Sequence, residues 1–76
     1  MAQSFTLHIG KLVHDELRAQ RRSVSWLAGE IHCNRSNAYK ILERSNIDIE
    51  LLVRISTALN HNFFADIAAY MQDVIP

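Results

Sequence analysis

The sequence predicts an all-α protein, a compact bundle of five short helices with a short extended N-terminal arm. Three observations predict it. About half of the 76 residues are apolar, and they recur at helical spacing in separate runs along the chain. The two glycines are few, and the single proline is the last residue, Pro76, so nothing breaks a helix between the termini. Ser, Asn or Asp stands directly before three of the runs, where a short acceptor side chain can cap a helix N-terminus. The length suits one domain, 1–76, near the smallest size at which a single core holds a fold unaided.

Taken in order, Phe5, Leu7 and Ile9 alternate with Thr6 and His8, the period-2 pattern of an extended arm over residues 1–9. A lone strand leaves its backbone groups unpaired, so this arm is expected to pack on the bundle or pair with a second copy. Ile9, Leu12, Val13 and Leu17 share one face of a first helix from about Gly10 to Gln20, which ends at Arg21, Arg22 and Ser23. Ser23 precedes Val24, Leu27, Ala28 and Ile31 at i, i+3, i+4 and i+7 and caps a second helix.

After a break at His32 and Cys33, Asn34 caps a third helix whose apolar side is Ala38, Ile41 and Leu42. Its other faces carry Arg35, Ser36, Asn37, Tyr39, Lys40 and Glu43. Ser45, Asn46 and Ile47 form a loop, and Asp48 caps a fourth helix with the strongest apolar stripe in the chain: Leu51, Leu52, Ile55, Ala58 and Leu59. Asn60, His61 and Asn62 make a turn, since Asn tolerates the left-handed backbone that stops a helix. The last helix is expected from Phe63 to Gln72, with Phe64, Ile67, Ala68 and Met71 turned to the core.

Composition excludes several function classes. One cysteine, Cys33, makes no internal disulfide and is expected to be buried at the turn. The N-terminus lacks a signal-peptide pattern, and no apolar run approaches the roughly 20 residues of a membrane span, so a cytoplasmic protein is expected. His8, His14, His32, His61 and Cys33 lack the paired spacing of metal ligands, so no metal or other cofactor is expected. No Ser/His/Asp set, carboxylate pair or glycine-rich loop stands out, which argues against an enzyme. With no second domain to sense one, no small-molecule ligand is expected.

Eight basic and eight acidic residues cancel overall, but unevenly along the chain. Residues 1–44 hold seven basic and four acidic side chains, a net +3, and residues 45–76 are net −3. The basic half contains the second and third helices. Two short helices joined by a three- to four-residue turn let one helix enter the DNA major groove while the other braces it. Ala28 is small where the helices must approach, Leu27 and Ile31 supply core contacts from one, and Ala38 and Ile41 supply them from the other.

On these residues the segment SVSWLAGEIHCNRSNAYKILER resembles the helix-turn-helix of the Cro and phage-repressor type, within the lambda-repressor-like fold. The flanking IGKLVHDEL and IDIELLVRISTALNHNFF resemble that family's first and fourth helices, so the likeness covers about residues 9–64. HIGK, SVSW, NAYKI and the ID before LL are similar to a group of very small bacterial regulators of this kind. The resemblance implies a regulator of transcription that binds double-stranded DNA. Its helix-turn-helix would span 24–43, and Arg35, Ser36, Asn37, Tyr39 and Lys40 would face DNA.

The chemistry of those residues suits the role. Arg35 can pair bidentately with guanine, Asn37 with adenine, and Ser36 can reach a base or a phosphate. Tyr39 and Lys40 suit backbone contacts, which position rather than specify. Arg21, Arg22, Ser25 and the start of the second helix form a candidate phosphate cradle, and Arg44 adds a cation beyond the third helix. Three positions depart from the family pattern: Val24 stands where many members carry a phosphate-binding glutamine, His32 where the turn glycine is usual, and Leu42 where glutamate is frequent.

Blander readings stand beside these. The polar side of the third helix could be solvated surface, and Arg21 and Arg22 could serve only the dipole of the first helix. Trp26 is expected to be half-buried rather than stacked on bases. One such motif reads only a few base pairs, so a homodimer is expected, formed through the N-terminal arm or the last helix. The alternative is a protein-interaction or antitoxin-like module using the same fold without specific DNA binding.

Overall fold

A computed structural model describes residues 7–75, and within them the chain forms five α-helices and no strand. Helix α1 spans Ile9–Ala19, α2 Val24–Glu30, α3 Arg35–Glu43, α4 Ile49–Leu59 and α5 Phe63–Val74. The expected all-α, five-helix architecture is the observed one. Three boundaries differ. Ile9, read as the end of the arm, is the buried first residue of α1, α1 ends at Ala19 with Gln20 as its cap, and α5 runs two residues past Gln72. The rest of the expected arm, up to Thr6, lies outside the described residues.

The three expected caps are formed. Ser23 Oγ accepts from the Trp26 N–H at 3.0 Å, Asn34 Oδ1 from Asn37 at 2.8 Å and Asp48 Oδ1 from Leu51 at 2.8 Å. Each such cap contributes on the order of 1 kcal/mol. Two further caps complete the set: His8 Nδ1 accepts from the Lys11 N–H, and Asn62 Oδ1 from those of Phe64 and Ala65.

Helices α1, α2 and α4 end in one common way. Arg21, His32 and Asn60 each take a left-handed backbone, with φ of 58°, 58° and 50°. The next N–H then turns back to a last-turn carbonyl: Arg22 to Leu17 at 2.8 Å, Cys33 to Ala28 at 2.9 Å and His61 to Ser56 at 3.0 Å. This closes orphan carbonyls and reverses the chain sharply, a task usually given to glycine.

The core draws Val13 and Leu17 from α1, Leu27 from α2, Ala38 from α3, Leu52, Ile55 and Leu59 from α4, and Phe63 from α5, all essentially without solvent contact. Fully burying one of the larger of these side chains stabilises by about 1.5–3 kcal/mol. α3 lies against both α1 and α2, and α4 packs on the same pair. Ile47, in the loop before α4, is also buried.

The contact between α1 and α3 is unusually close. The N–H of Ile9 donates to the Ser45 carbonyl at 2.9 Å and that of Gly10 to the Arg44 carbonyl at 3.0 Å. Gly10 is required there, because a Cβ would run into the carbonyl oxygens of Leu42 and Arg44.

α5 corrects the expected core face. Phe63 enters the core, while Phe64 and Ile67 are only half-buried against it and Ala68 is exposed. Met71, Val74 and Ile75 are 39%, 50% and 64% exposed. Twelve helical residues span about 18 Å, but the core reaches only the first turns of α5. The last turns of the helix therefore lie outside the core. No helix among the described residues is long and apolar enough to cross a membrane.

Candidate nucleic-acid interface

The position of α3 follows from its smallest buried side chain. Ala38 has no solvent contact, and Ala28 of α2 is also buried, so neither side chain holds the two helices apart. Leu42 is buried a turn later and Ile41 half-buried. With that side inward, Arg35, Ser36, Asn37, Tyr39 and Lys40 are all exposed on the rest of the helix. Glu43 is exposed at its end.

The other expected site residues are also at the surface. Arg21 and Arg22 are exposed in the turn between α1 and α2, Ser25 on the first turn of α2, and Arg44 at the C-terminal cap of α3. Ser23 already takes the Trp26 N–H, and α2 is only seven residues long. An anion near this turn therefore meets the side chains of Arg21, Arg22 and Ser25 more than a helix terminus.

The connection from α2 to α3 is fixed at three points. Ile31 is buried, His32 supplies the left-handed reversal, and Arg54 of α4 donates from Nη2 to the Ile31 carbonyl at 2.7 Å. Arg54 is thus the brace of the turn, a role that sequence spacing does not reveal, because the partner is a main-chain oxygen 23 residues away. Cys33, expected to be buried here, is half-buried.

Two arginines rest on aromatic rings. The Arg22 guanidinium carbon lies 4.1 Å from the Trp26 ring centroid, and that of Arg35 lies 5.7 Å from the Tyr39 ring. Arg35 and Tyr39 are four residues apart within α3, a spacing the sequence shows, whereas Arg22 precedes the N-cap of α2 and meets Trp26 only through the geometry of the turn. Among the described residues no Lys or Arg lies within 4.0 Å of a carboxylate, and the carboxylate contacts present are to the ring nitrogens of His61, from Asp66 at 2.8 Å and Glu16 at 3.6 Å. The basic side chains of α1 to α3 are thus left without direct neutralisation.

Against protein-family models, curated proteins and solved structures the chain shows no match, so its functional reading rests on its own residues.

Proposed function

We propose that the protein belongs to the class of sequence-specific DNA-binding proteins, with α3 as the helix that enters the major groove. More particularly, it acts as a small transcriptional regulator of the Cro and phage-repressor type on double-stranded DNA. One observation carries this reading: α3 buries Ala38 and Leu42 and turns Arg35, Ser36, Asn37, Tyr39 and Lys40 outward, with no carboxylate paired to its cations among the described residues.

In this reading Arg35 and Asn37 read base edges, because their planar donor and acceptor groups match guanine and adenine. Ser36, Tyr39, Lys40 and Arg44 hold the register on phosphates, with Arg21, Arg22 and Ser25 from the turn before α2. The protein acts as a homodimer, with Met71, Val74 and Ile75 of α5 meeting a second copy. Those exposed apolar side chains extend beyond the core, and pairing doubles the DNA site. A gel-shift titration on duplex DNA tests the reading. Binding that weakens linearly in log salt supports it, and no shift at low salt on a random duplex pool contradicts it.

A second reading, a protein-interaction or antitoxin-like module, is favoured by the exposed Ile49 and Val53 on α4 together with Met71, Val74 and Ile75 on α5. A captured protein that contacts Ile49, Val53 and the end of α5, in a chain that binds no DNA, would decide for it.

A further inference from the structure

We infer that Trp26 is a positioning residue for phosphate binding, its indole face holding the Arg22 guanidinium in a plane that leaves the N–H edge open to a phosphate. The inference rests on the DNA-binding reading above and deepens it. The guanidinium carbon lies over the ring, 4.1 Å from its centroid, well inside the range of a cation–π contact.

Both ends of the pair are held by the backbone. The Arg22 N–H is bonded to the Leu17 carbonyl at 2.8 Å, a contact that exists because Arg21 adopts the left-handed conformation. The Trp26 N–H is held by Ser23 Oγ at 3.0 Å, and its neighbours Leu27 and Ala28 are buried. The indole itself is half-buried, packed against the core, which leaves it as a platform at the surface.

The kind of partner matters. A carboxylate would restrain Arg22 by occupying its N–H donors, the same donors a phosphate needs. An aromatic face restrains the guanidinium through its π surface and leaves the in-plane donors unused. No carboxylate lies within 4.0 Å of Arg22 among the described residues. The stack thus orders the cation without neutralising it, at the turn where α1 hands over to α2. The Arg35 and Tyr39 pair is longer, 5.7 Å, and both of its members are exposed, so it lacks this constraint.

The test is a double-mutant cycle on a mixed-sequence duplex across a salt series, with wild type, R22A, W26L, the double variant and W26F. R22A is expected to weaken binding and to reduce the slope of log affinity against log salt by about one. W26L is expected to weaken binding about three- to tenfold and to move the slope toward that of R22A. The double variant should bind no more weakly than R22A, and W26F should recover part of the loss. A purely structural tryptophan would give losses that multiply in the double variant.

Multiplying losses, or W26L with wild-type affinity and slope, would overturn the inference while the DNA reading stands. Should circular dichroism show W26L unfolded, W26F with and without R22A runs the same cycle: a loss seen only when Arg22 is present supports the inference, and one independent of Arg22 overturns it. Absence of binding by the wild type would overturn both.

Discussion

The N–H of Gly10, in the first turn of α1, donates to the carbonyl of Arg44, at the end of α3, at 3.0 Å. A free donor at one helix start thereby satisfies a free acceptor at another helix end, and the helix proposed to read DNA is pinned at its C-terminal cap. The contact leaves no room for a side chain. Gly10→Ala should push α1 off α3 and cost about 2–3 kcal/mol, as overpacking does, lowering the melting temperature by roughly 10–20 °C. At Gly29, on α2, an added Cβ would meet nothing within 4 Å, so Gly29→Ala should instead raise stability by about 0.5–1 kcal/mol. Thermal unfolding followed by circular dichroism checks both.

Arg54 holds the turn between α2 and α3 through the Ile31 carbonyl. Arg54→Met keeps the aliphatic stem and removes the donor. A hydrogen bond to a charged group in a partly buried place sets the expected loss at about 1–2 kcal/mol. Urea denaturation measures it, and an unchanged midpoint would show that the brace contributes nothing.

The left-handed residues separate stability from binding. Such a backbone costs an L-residue about 1–2 kcal/mol, partly offset by the extra unfolded freedom of glycine. His32→Gly and Arg21→Gly should each stabilise by roughly 0.5–1 kcal/mol. His32→Gly should leave DNA affinity intact, whereas Arg21→Gly should lose affinity and reduce the salt slope by about one, as removal of a phosphate contact does. Melting curves and gel shifts on the same preparations distinguish the two.

These features differ in how far the sequence discloses them, and the reason is range. Ser23, Asn34 and Asp48 are legible as caps because a cap and its helix are neighbours. His8 is not, since histidine is an uncommon cap, and Asn62 is absorbed into the turn beside Asn60. Asn60 and His32 are identifiable as turn positions from residue type and motif, while nothing about an arginine announces the left-handed Arg21. Periodicity marks an apolar face on α5 but cannot tell where the core ends, so Met71 reads as inward and stands outside. The outward residues of α3 are legible because Ala38 and Leu42 define its inner side. The stacking of Arg22 on Trp26 needs three dimensions.

The exposed end of α5 gives a prediction for assembly. Met71→Glu places a carboxylate on the face proposed to meet a second copy, where burying an unpaired charge is strongly unfavourable. The dimer dissociation constant, from sedimentation equilibrium, should rise at least about tenfold with little change in the helical signal. A wild-type chain that sediments as a monomer at high concentration would show that the exposed end of α5 does not pair with a second copy.

Reading of DNA sequence by α3 is measured by selecting bound duplexes from a random pool with the wild type and with Arg35→Ala. The wild type should enrich a two-fold symmetric site whose half-sites are separated by about 10–10.5 base pairs or a multiple. Arg35→Ala should relax one base pair per half-site, at a cost of about 1–3 kcal/mol for each lost pairing. No enrichment by the wild type at low salt, or an identical site for both proteins, would contradict it.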